Sequence, residues 1–130
     1  TASRPPRPAR WIRVEARLAT DGAPLIGRAF GDDRGEFLLL IAPQVDTFGA
    51  ASRLPVRLRI FAPPEPTPPT PDAAARDPLW DLPLEAPTAL DDGDGVVLGA
   101  GLPAGYAAVL EPIVEVPLGR LVRGLADFVF

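Results

Sequence analysis

The chain has 130 residues, a formal net charge of −4, 18 prolines and 12 glycines, and no cysteine or histidine. At 47% apolar residues it is long and hydrophobic enough to fold around one core, while so much proline argues against an all-helical fold. Disulfides, thiolate metal sites and imidazole bases are excluded by composition.

Charge is placed unevenly. Residues 1–20 hold five arginines and one glutamate, so a basic segment precedes an acidic remainder. Pro5, Pro6 and Pro8 bias residues 1–10 toward an extended polyproline arm, with Arg4, Arg7 and Arg10 along one edge. Pro5 to Arg10 also matches a PxxPxR ligand of an SH3-type groove, a short pattern common in such arms. No apolar run reaches the ~18–20 residues of a membrane span, and the N-terminal residues lack the apolar stretch of a signal peptide. A cytoplasmic location, or one within an assembled particle, is the expectation.

From Trp11 to Ala19 apolar and charged residues alternate. Ile12, Val14, Ala16 and Leu18 mark one face of a strand, and Arg13, Glu15 and Arg17 the other. Thr20 to Pro24 has turn composition, and Leu25 to Phe30 follows as a second strand, with Gly27 marking a bulge or close packing. Gly31-Asp32-Asp33-Arg34-Gly35 is the strongest turn, in which Gly35 is expected at positive φ. The run Phe37 to Ile41, apolar at every position, predicts a central strand covered on both faces. Leu54 to Ala62 alternates again. The expected core is Val14, Leu18, Phe37, Leu39, Ile41, Val56, Leu58 and Ile60.

A proline tract occupies 63–71, and 79–85 is compatible only with an edge strand because of Pro83. Residues 96–98 could form a short strand. Beyond them, 102–117 is apolar but interrupted by Pro103, Pro112 and Pro117. Helical spacing of Leu118, Leu121, Val122, Leu125 and Phe128 predicts a short amphipathic helix, with a strand as the competing reading of the last five residues.

The order of segments in 11–85 resembles the carboxypeptidase-regulatory-like domains, a family of transthyretin-like β-sandwiches. The resemblance rests on Asp21-Gly22-Ala23-Pro24-Leu25-Ile26-Gly27, followed by Asp32-Asp33-Arg34-Gly35-Glu36-Phe37 entering an apolar run. It implies an all-β fold, a small transthyretin-like or Ig-like β-sandwich over 11–86, between the arm 1–10 and an extension 87–130. It also implies an accessory or structural module with no catalytic residues of its own.

The inventory of chemical groups points the same way. Ser3 and Ser52 have no histidine or lysine to activate them. Asp91, Asp92 and Asp94 fail the EF-hand ligand spacing and read as a solvated turn. The loose glycine pattern at 99–104 lacks the strand and helix that a dinucleotide site needs. No enzyme activity, cofactor or metal is expected.

The expected role is a structural or adaptor module of a larger, bacterial-style assembly, with a contractile phage-tail-like particle as one setting. The alternative is a carbohydrate- or peptide-binding accessory module. Partners are expected to be protein subunits, of the same or a different chain, in an oligomer or complex; nucleic acid is disfavoured by the acidic body. The candidate interface residues are Arg4, Arg7 and Arg10 in the arm, and Ile113, Val114, Val116, Leu118, Leu121, Val122, Leu125 and Phe128 in the extension.

Overall fold

A computed structural model describes residues 8–41, 53–66, 76–83 and 100–117, together with Thr70, Asp72, Glu85, Gly93, Gly95 and Val96. Its elements are all strands: β1 Arg13–Leu18, β2 Leu25–Phe30, β3 Arg53–Ala62, β4 Ala107–Leu110 and β5 Ile113–Pro117. They form one antiparallel sheet in the order β2-β1-β3-β4, with β5 also on β3. The regular structure of the described residues is mostly strand, in one antiparallel sheet, as an all-β fold requires.

Alternation sets the two faces, since successive side chains of a strand point to opposite sides. Val14 stands between Ala29 and Ile60, and Ala16 between Gly27 and Leu58. These residues, with Leu54 and Val56, build the buried face, on which Ile12 and Ile26 also pack. Of the expected core, Val14, Val56, Leu58 and Ile60 are buried; Leu18, Phe37, Leu39 and Ile41 are half-buried against them.

Residues 36–41 do not form the central strand that their hydrophobicity predicts. They run outside the sheet, with Phe37, Leu39 and Ile41 turned to the core and Leu38 and Leu40 exposed at 66% and 74%. Gly27 permits this crossing, because a Cβ there would stand 2.7 Å from the Leu40 carbonyl oxygen. The residue also sits beside a bulge, where pairing moves from Ala16–Gly27 to Arg17–Leu25.

Before this run, Asp32 folds the turn onto itself. Its carboxylate accepts the N–H groups of Arg34 and Glu36 at 2.8 and 2.9 Å, and Gly35 has φ 77°. These bonds, led by that from Glu36, hold the Asp32 carboxyl below its usual range. A side chain at Gly35 would also press on the Ala9 carbonyl oxygen, 3.0 Å from an added Cβ. Gly35→Val is therefore expected to destabilise the fold by about 1–2 kcal/mol, the cost of a left-handed L-residue. Urea unfolding checks this; an unchanged midpoint would mean that the turn relaxes freely.

One further expectation is corrected: residues 79–81 turn rather than extend, with Leu82 N–H bonded to Leu79 O at 3.0 Å. Of the expected strand 96–98, Val96 lies in a turn and the other two residues lie outside the described ones. The proline-broken stretch 102–117, by contrast, supplies β4 and β5, so part of the expected extension belongs to the sheet. The register shows that β4 and β5 are one strand interrupted. Ile60 faces Leu110, Arg57 faces Ile113, and Leu58 N–H bonds to Pro112 O at 2.9 Å between them. Pro112 has no N–H to return, and the ladder breaks there.

Pro55 lies inside β3, where a central strand ordinarily excludes proline. Its carbonyl accepts Ala19 N–H at 3.0 Å, just past the end of β1. The missing donor therefore falls where the neighbouring strand has already run out. The helix expected over 118–130 and the arm residues 1–7 lie outside the described residues.

Candidate functional site

The second face of the sheet is chemically unlike the first. In its first row Phe30, Arg13 and Phe61 stand side by side on β2, β1 and β3. The next row is Arg28, Glu15 and Arg59, with Glu111 paired to Arg59 at 2.8 Å. Arg17 and Arg57 then oppose each other, with Ile113 beyond Arg57 on β5; Glu115 faces Pro55, and Arg53 faces Pro117.

One end of this face is closed by the chain itself. The Arg13 guanidinium lies 4.0 Å from the Phe30 ring centre and 5.8 Å from that of Tyr106, and it pairs with Glu85. Residues 100–102 share a small cleft with Arg13, Glu15, Arg28 and Phe30. Burial raises the Tyr106 hydroxyl above its usual range, which keeps it a donor to the Trp11 carbonyl at 2.7 Å.

The other end is open. Arg17 is bonded to Glu15 at 2.9 Å, so its direct opposition to Arg57 is partly compensated. Arg28, Arg53 and Arg57 have no acidic partner among the described residues. Arg28, Arg53 and Arg59 are exposed, and Ile113 and Phe30 are exposed at 56% and 53% on the same face. Arginine beside apolar and aromatic surface is the composition of interface cores.

Adjoining the closed end is a clasp. Arg10 binds the Asp81 carboxylate through Nε at 2.8 Å and Nη2 at 2.6 Å, and the Trp11 indole N–H adds a bond of 2.9 Å. Arg10 also donates to the carbonyls of Asp33 (3.1 Å) and Pro78. Burial pushes the Asp81 carboxyl up, yet the bonds from Arg10 and Trp11 together outweigh it and hold the group below its usual range. Trp11 itself has φ 60°, a left-handed conformation that costs about 1–3 kcal/mol in a bulky residue. Its N–H to Asp32 O (3.1 Å), its carbonyl on Tyr106 and its indole on Asp81 keep it there.

The candidate interface residues therefore separate. Arg10 is engaged within its own chain. Ile113 is exposed on the arginine face, whereas Val114 and Val116 are half-buried against the core. Arg4, Arg7, Leu118, Leu121, Val122, Leu125 and Phe128 lie outside the described residues, as do Asp91, Asp92 and Asp94. The arginine face was readable as Arg13, Arg17, Arg57 and Arg59 at alternating positions, but its assembly into one surface required the register. No family model, curated protein or solved structure matches the chain.

Proposed function

We propose that this chain is a non-catalytic docking module of a larger protein assembly, built as a transthyretin-like β-sandwich of the carboxypeptidase-regulatory-like kind. The observation that carries the docking reading is the open half of the polar sheet face. It joins exposed Arg53 and half-buried Arg57, without acidic partners among the described residues, to exposed Ile113. The outward pair Leu38 and Leu40 adds apolar surface of the kind that marks protein contacts. The sandwich reading draws support from the β1–β2 hairpin, the glycine turn at 35, and the run 36–41 packed outside the sheet.

The test is the size of the particle that carries the chain. Light scattering on the purified protein, and sizing of the tagged chain at native expression level, are expected to give a mass above 13.8 kDa in at least one case. A 13.8 kDa monomer in both would overturn the reading.

A further inference from the structure

We infer that the arginine face, from Arg28 across to Arg57, receives an acidic, extended polypeptide segment of a partner protein, an inference that rests on the docking reading. Three arrangements carry it. Arg28 and Arg59 share a row two strands apart, and Arg57 follows Arg59 two residues along β3. Strand spacing and rise place their stems about 10 Å and about 7 Å apart respectively. Arg59 is already paired with Glu111, so a short extended segment crossing the face would present separate carboxylates to Arg28 and Arg57.

The second arrangement is the opposition of Arg17 to Arg57. Like charges directly across a strand pair are destabilising. Glu15 compensates Arg17 at 2.9 Å, whereas Arg57 has no acid among the described residues. A carboxylate arriving between them would relieve that repulsion. The third is that the acids of this face do not neutralise Arg28 or Arg57: Glu15 is bonded to Arg17 and Glu111 to Arg59, and no ion pair joins Glu115 to either among the described residues.

A polypeptide fits this surface better than a nucleic acid does. Glu15, Glu111 and Glu115 interrupt the arginines, which opposes a continuous line of phosphates but suits a segment presenting separate carboxylates. Ile113, opposite Arg57, offers an apolar contact that phosphates cannot use.

The experiment measures fluorescence anisotropy of a labelled octaglutamate peptide, with a short DNA duplex as the competing probe. The native chain is expected to bind the peptide saturably at about 50 mM salt and to lose most binding at about 500 mM, where screening is within a few ångströms. Arg28→Glu with Arg57→Glu should weaken binding about tenfold or more. Arg34→Glu with Arg76→Glu, an equal charge change off the face, should stay within about twofold. If the reversed pair fails to fold, Arg28→Gln with Arg57→Gln is used, with a loss of about threefold expected. Equal losses in the two double variants, no saturable peptide binding, or tighter binding of the duplex would each overturn the inference. A large native assembly that forms without peptide binding overturns this inference alone. A monomer that still binds the peptide overturns the assembly reading alone.

Discussion

Ile60→Ala is expected to lower the unfolding free energy by about 3–4 kcal/mol, within the range for truncating a buried isoleucine. Ile60 is 1% exposed on β3, between Val14 of β1 and Leu110 of β4. Its side chain meets both neighbouring strands, so the cavity left behind has little room to collapse. Against the 5–15 kcal/mol typical of a folded domain, that loss should displace the urea midpoint visibly. Ile113→Ala is the matched control, because Ile113 is 56% exposed and should change stability by no more than about 0.5 kcal/mol. A loss below about 1 kcal/mol at Ile60 would mean that the buried face is not the structural core.

Asp81→Ala is expected to cost about 2–3 kcal/mol, since it leaves the Arg10 guanidinium and the Trp11 indole N–H without their shared acceptor. The effect is larger than for a surface ion pair because the Asp81 side chain is only 6% exposed. It should also depend on pH. The Asp81 carboxyl is held below its usual range in the folded chain, so its stabilisation is complete above the unfolded value of about 3.9. Stability is lost as pH falls through the lower folded value. The difference between the parent and Asp81→Ala should therefore be greatest near neutrality and shrink as pH is lowered below about 4. Urea titrations across that range check the sign; a gap that widens in acid would refute the assignment.

The strands β1, β2 and β3 were legible because each carries a signal of its own. Arg13 to Leu18 and Leu54 to Ile60 alternate, and Thr20 to Pro24 supplies the intervening turn chemistry. The run 36–41 misled because hydrophobicity at every position resembles a strand buried on both sides. Its position outside the sheet depends on the absence of a side chain at Gly27, which lies twelve and thirteen residues before the Leu39 and Leu40 it meets. β4 and β5 were obscured by Pro112, which weakens a strand signal regardless of neighbours. Only the Leu58–Pro112 bond shows that a proline can remain in this ladder as an acceptor.

The candidate site divides in the same way. Individual arginines on one side of each strand were visible, whereas the opposition of Arg17 to Arg57 follows from a register that neither strand encodes alone. The clasp was less legible still. Arg10, Trp11 and Asp81 come together across about seventy residues, and no local pattern specifies a tryptophan at φ 60°.

The interruption at Pro112 also bears on how the sheet opens. Cooperative opening of a strand pair depends on bonds that follow one another, and here the series loses one bond at Pro112, which accepts from Leu58 but has no N–H to give back. Ile113–Pro117 can therefore lift from Arg53–Arg57 while Ala107–Leu110 keeps its hold on Ile60–Ala62. The strand is thus divided into two leaves on either side of Pro112. Lifting the five-residue leaf would uncover one flank of Leu54 and Val56, while Val56 keeps its other neighbour, Leu18 of β1.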